Sequence, residues 1–347
     1  MMAAKVRFCQ NWFMRSGSLT RRLNLESPII NAPMIGAAGG ELAAAVSKAG
    51  GLGLIGIEPK GTKEWFAQQF RWCHNLSTPW GVGFIGWSLT EDLAFLRHIL
   101  SHQPNFMSAS FISASDRRMS EAFAVAKDLG IITSIQAGSA REVDEALTAD
   151  VDVVVVRGSE GGGHGRNEVA TLPLLQYAKS ATDKPVVAAG GIGTARGVAA
   201  VLAGGADAAW IGTRFITARE SLAHPTKKSA VGHATLDDTL YTNAFDIAQK
   251  LPWEREYGGR ALKNAFAEEW VGREDELLQA VEASDNITQS VNEAIASGNL
   301  DKLPIYAGEA AAFTTHQGQS VAEIVEELDE FRTHLEQAST TWARKPR

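Results

Sequence analysis

Eight short apolar or β-branched runs recur along the first two-thirds of the chain, each followed by a stretch with helical character. The runs are Pro28–Pro33, Gly51–Ile57, Trp80–Ile85, Asn105–Phe111, Ile131–Gln136, Asp152–Val156, Pro185–Ala189 and Ala206–Ile211. Between them fall helix-like segments such as Glu41–Ala49, Glu91–Leu100, Asp116–Leu129, Ala140–Thr148 and Thr194–Ala203. Val153-Val154-Val155-Val156 shows no alternation, so both faces of that strand are expected to be buried, as in a parallel sheet covered by helices. Repeated βα units give either a doubly wound sheet or a closed barrel. Eight units favour the α/β (β/α)8 TIM barrel. A Rossmann sheet would want a Gly-x-Gly-x-x-Gly fingerprint after its first strand, and Met34-Ile35-Gly36-Ala37-Ala38-Gly39-Gly40 lacks that spacing.

After the eighth run the pattern changes. The chain is expected to divide into a barrel core (1–223), a helical insertion over the barrel mouth (224–315) and a C-terminal helix closing the wall (316–347). In the last part Val321, Ile324, Val325, Leu328, Phe331 and Leu335 fall at helical spacing behind Ser320 as N-cap.

Composition narrows the function classes. A net charge of −7 argues against a general nucleic-acid or anionic-membrane binder. Two cysteines, Cys9 and Cys73, are too few for a disulfide framework or a cysteine-built metal centre, and no His/Asp/Glu set has metal spacing, so no metal is expected. The first 22 residues lack the unbroken apolar run of a secretory signal, which reads as a reduced, cytoplasmic protein. The Gly-x-Ser-x-Gly elbow of serine hydrolases is missing as well.

Glycine clusters follow the later strands, on the face where a barrel builds its sites. Arg157-Gly158-Ser159-Glu160-Gly161-Gly162-Gly163-His164-Gly165-Arg166 follows the sixth run. Its glycines let backbone approach a ligand, and His164 is placed to take a proton near neutral pH; the plainer alternative is a turn with an exposed histidine. Gly190-Gly191 follows the seventh run and Gly212-Thr213 the eighth, the two positions where barrels commonly seat a phosphate. A phosphorylated cofactor is therefore expected, with Thr194 as helix cap. Among the other histidines, His74, His98 and His102 read as solvated on outer helices, while His224, His233 and His316 lie in the C-terminal third. The tryptophans read as packing or lid residues, except Trp210 beside the Gly212 loop.

These blocks, in this order, resemble the nitronate monooxygenase family, formerly 2-nitropropane dioxygenases. Pro28–Met34 resembles its first strand, Glu41–Gly53 its first helix and turn, and Arg157–His164 its Gln-Gly-x-Glu-Ala-Gly-Gly-His loop. Pro185–Ile192, Gly205–Phe215, Ala307-Gly308-Glu309 and Ala322–Leu328 match further along. The resemblance implies FMN contacted by Ala32, Pro33, Met34, Gly162, Gly163, Gly190, Gly191, Gly212 and Thr213, with Gly83, Arg157, Gly158 and Trp210 beside it, and His164 as catalytic base or substrate orienter. It implies oxidation of an alkyl nitronate or nitroalkane with O2, giving carbonyl compound and nitrite. It leaves a homodimer open. Arg157 stands where the family often has Gln, Gly83 where it has Asn, Trp210 where it has Gln, and His164-Gly165-Arg166 reverses His-Arg-Gly. Arg157 would then supply positive charge to the nitronate or the reduced flavin. Two alternatives stay open: an NAD(P)H-dependent flavin reductase of the enoyl-acyl carrier protein reductase type, and a non-catalytic FMN-binding barrel.

Overall fold

A computed structural model describes residues 18–89, 93–314 and 318–342. Cys9, His316, most of the segment read for a signal, and the boundary at 315/316 lie outside these residues. Eight parallel strands form the main sheet: β1 (Ile29–Asn31), β2 (Gly53–Gly56), β3 (Trp80–Ile85), β4 (Phe106–Ser110), β5 (Ile132–Ala137), β6 (Val153–Arg157), β8 (Val186–Ala189) and β9 (Ala208–Ile211). β1 pairs with β9 on one side, and Ile30 bridges to Leu52 at the start of β2 on the other, which closes the (β/α)8 barrel. Asn31 reinforces the closure: its buried amide donates to the Leu54 carbonyl at 2.9 Å and accepts from the Leu54 amide at 2.8 Å.

Strand residues turned inward, among them Ile30, Leu54, Phe106, Val153, Val155, Val187 and Trp210, form one packed cluster with Leu19 and Leu23 beneath it. Residues turned outward, such as Ile55, Val82, Val154 and Val156, pack against the helices. Both faces are therefore buried, which is why β6 reads as an unbroken valine run.

The barrel helices begin where the sequence supplies caps. Thr194 Oγ1 accepts from the Gly197 amide, and Ser139 and Asp116 cap the helices 140–148 and 117–128. Ser320 and Glu323 form a capping box at the C-terminal helix. That helix departs from expectation: it is two, Val321–Asp329 and Phe331–Thr341, hinged at Glu330 with no glycine or proline to announce the break. His102 also departs, since it stacks on Phe70 at 4.2 Å rather than standing in solvent.

The expected helical insertion is also more than helical. It carries a hairpin of β10 (Thr239–Thr242) and β11 (Gly259–Leu262), and β11 pairs antiparallel with β7 (Gly163–His164) in the glycine loop. The insertion is thereby hydrogen-bonded directly to the segment that carries His164. Among the described residues, no helix is long and apolar enough to cross a membrane.

Candidate active site

The ends of β1, β6, β8 and β9 bring their loops together. The Ala32 amide donates to the Ile211 carbonyl at 2.8 Å, and the Ala32 methyl and Met34 sulfur both lie 3.4 Å from where a side chain on Gly212 would start. Residues after the first and last barrel strands thus share one wall. Nearby, the Gly308 amide donates to Thr213 Oγ1 at 3.0 Å and the Glu309 amide to the Glu160 carbonyl at 3.0 Å. The segment 307–309 therefore bridges the loops that follow β6 and β9. Glu160 accepts from the Thr171 amide and hydroxyl, fixing the glycine loop to the start of helix 171–181.

Among the described residues, the amides of Gly191, Ile192, Gly193, Gly212 and Thr213 donate no hydrogen bond. Ile192, Gly193 and Thr213 are buried. Buried peptide N–H groups are nearly always paired. A cluster of bare donors at two adjacent strand ends therefore suits an anion such as a phosphate, with Thr194 capping the following helix. Gly190 holds φ +109° at the turn, a conformation L side chains rarely adopt. Gly190→Val is expected to lower affinity for a flavin phosphate at least about tenfold through that strain, with the fold retained by circular dichroism. An unchanged flavin dissociation constant in a fluorescence titration would remove this loop from the cofactor seat.

His164 follows Gly163 on the loop after β6. Its Nε2 is 2.9 Å from Asp246 Oδ1, and its ring lies flat against Trp253, with centroids 3.7 Å apart and planes within 6°. Tyr306 approaches at 4.9 Å and Phe111 at 6.4 Å, while Trp253 meets Phe111 edge-on at 4.9 Å. The Tyr306 hydroxyl donates to the same Asp246 oxygen at 3.3 Å. Burial, followed by the Asp246 charge, holds the Tyr306 phenol well above its ordinary pKa, so it remains a donor. Asp246 and Trp253 also line a cavity of about 380 Å³ between the helices 244–248 and 274–283.

Arg157 is buried beneath the glycine loop. One terminal nitrogen donates to the carbonyls of Gly161, Gly162 and Gly163 at 2.6, 3.2 and 3.0 Å. Among the described residues it forms no ion pair with a carboxylate. Burial pulls its pKa down to about 10, so it stays charged at neutral pH. The sequence suggested an arginine whose charge serves the nitronate or the reduced flavin; here one terminal nitrogen is engaged by the carbonyls of its own loop. Arg166 ends that loop in a triple ion pair with Glu142, Glu168 and Glu256, and Tyr257 donates to Glu142 at 2.6 Å.

Gly83 and Trp210 were also expected beside the cofactor. Gly83 packs under Pro33, whose ring carbon stands 2.2 Å from where a side chain would begin, so Pro33 occupies the space an asparagine would need. Trp210 points into the barrel interior, 6.4 Å from Phe106. Gly158 lies at the base of the loop, its amide donating to the Ala189 carbonyl. Burial pushes the Cys73 thiol up to about 12, which leaves it inert. Asp246, Trp253 and Tyr306 were not anticipated from sequence. Asp246 did leave a signal, being a single acid among Ala244, Phe245, Ile247 and Ala248.

A parallel barrel with glycine loops after its last two strands, and a histidine on the loop after β6, has the layout of a barrel enzyme with a phosphate seat at its strand ends. The nitronate monooxygenase family matches residues 88–330, and the chain belongs to it. A probable nitronate monooxygenase of Staphylococcus haemolyticus is 28% identical, with 91% of this chain and 98% of that protein covered. FabK from Thermotoga maritima superposes with a TM-score of 0.78 at 27% identity, covering 94% and 99% of the two chains. A nitroalkane oxidase from Streptomyces ansochromogenes superposes at 0.72 with 28% identity, covering 91% and 99%. The protein is accordingly an oxidoreductase that works with a flavin.

Proposed function

We propose that the chain oxidises alkyl nitronates, and nitroalkanes through them, with FMN and O2, giving carbonyl compound and nitrite. The observation that carries this reading is His164, hydrogen-bonded to Asp246 and held in an aromatic wall next to a seat of bare amides.

The FMN phosphate is assigned to the amides at Gly190, Gly191, Gly212 and Thr213, and the ring system to the space bounded by Ala32, Pro33, Met34, Gly162 and Gly163. Gly83, Gly158, Arg157 and Trp210 support these contacts from behind. When bound, the flavin accepts two electrons and passes them to O2. The chain's own part is to hold the substrate, exclude water and move a proton. Trp253, Phe111, Tyr257 and Tyr306 form the apolar lining, and residues 224–315 serve as the cover that keeps it dry. Arg157 keeps the glycine loop in the shape that presents His164.

Likeness to FabK supports a second reading, an NAD(P)H-dependent flavin reductase. One anaerobic experiment separates them. The purified holoprotein should be yellow and be bleached by ethyl nitronate but not by NADH. Bleaching by NADH alone would favour the reductase, and bleaching by neither would favour a non-catalytic barrel.

A further inference from the structure

His164 is fixed on every side but one. β7 holds its backbone opposite Gly259, Trp253 covers one ring face, and Asp246 Oδ1 faces Nε2. Nδ1 has no hydrogen-bond partner among the described residues. An ionised carboxylate only accepts hydrogen bonds, so the ring nitrogen facing it carries the proton. The Tyr306 hydroxyl donates to the same oxygen and holds the carboxylate in place, while the buried Oδ2 has no partner.

We propose that Asp246 is a positioning residue that locks His164 in the Nε2–H tautomer, making Nδ1 the atom that accepts the substrate proton. The proposal rests on the reading of His164 as proton acceptor. In the step it assigns, the C–H bond on the carbon bearing the nitro group breaks. Its electron pair moves onto the nitro group to give the nitronate, and the proton bonds to Nδ1. The resulting imidazolium keeps its Nε2–H on Asp246, whose charge stabilises it. No oxidant takes part in this step. A preformed nitronate bypasses it.

Asp246→Leu tests the assignment because it removes the acceptor that faces Nε2. Without the carboxylate the imidazole is free to take the opposite tautomer, with the proton on Nδ1, and its protonated form loses the charge that stabilises it. Turnover of neutral nitroethane by the holoenzyme should fall at least about 100-fold, the order expected when a general base loses the group that orients it. Turnover of ethyl nitronate should fall no more than about threefold on the same argument. The second readout needs no variant at Asp246. In protein labelled with 15N-histidine, the resonances lost in His164→Ala identify His164, and its Nδ1 should be the unprotonated nitrogen.

Equal losses on both substrates, or a wild-type His164 carrying its proton on Nδ1, would overturn the proposal. If the wild-type holoenzyme turns over neither substrate, the nitronate reading fails instead. The tautomer measurement then still decides whether Asp246 holds His164 as assigned.

Discussion

Arg157→Met is expected to destabilise the protein by about 3 kcal/mol, because it strands buried carbonyls that the guanidinium now satisfies, at roughly 1–3 kcal/mol each before any relaxation. The carbonyls are those of Gly161, Gly162 and Gly163. Removing the charge also relieves the burial that pulls the Arg157 pKa down to about 10, which is why the net loss falls below the sum of three stranded groups. In a thermal melt the shift should be roughly 4 °C downward. The same loop presents Gly162, Gly163 and His164, so flavin affinity should fall together with stability. Arg157→Lys separates the two jobs an arginine can do here. If charge acting on the flavin were the essential property, the lysine would preserve the cofactor's affinity and potential. If contact of that one terminal nitrogen with the three carbonyls is essential, the shorter lysine sets its ammonium back from them and recovers only part of the stability. A melting temperature unchanged in Arg157→Met would show that the loop keeps its shape unaided.

Arg157 also marks where sequence reading stops. The barrel was legible because a strand buried on both faces must be apolar throughout, and such runs stand out at Gly51–Ile57 and Asp152–Val156. Glycines after the seventh and eighth runs were legible for a similar reason, since backbone alone can provide their chemistry. A side chain's direction is not encoded in that way. Arg157 was read for its charge toward the nitronate or the reduced flavin, and nothing in the sequence announced that the turn after it folds three carbonyls onto one of its nitrogens. The hairpin in the insertion was hidden too. Its strands are short, a helix and a loop intervene, and β7 is two residues long with no pattern of its own. Asp246 meets His164 across 82 positions of sequence, and long-range contacts such as the pairing of β11 with β7 draw the insertion onto the glycine loop.

His164→Ala is expected to reduce turnover of neutral nitroethane by about 10³-fold, within the range for losing a general base. Turnover of ethyl nitronate should fall less than about fivefold, because that substrate arrives with its proton already removed. The argument depends on what else the imidazole does. It covers one face of Trp253 and receives no backbone load, so its removal opens a gap in the aromatic wall without disturbing the amides of Gly191 and Gly212. Flavin content should therefore be unchanged, and absorbance of the purified variant checks that before any rate is compared. His164→Gln refines the test, since glutamine restores polar contact with Asp246 but cannot hold a proton at neutral pH. Rescue by glutamine on nitroethane would mean that His164 orients substrate. Failure of both variants on nitroethane, with ethyl nitronate still consumed, is the outcome that proton abstraction demands. Equal losses on the two substrates would leave the ring as a wall of the pocket and take the base assignment away from it.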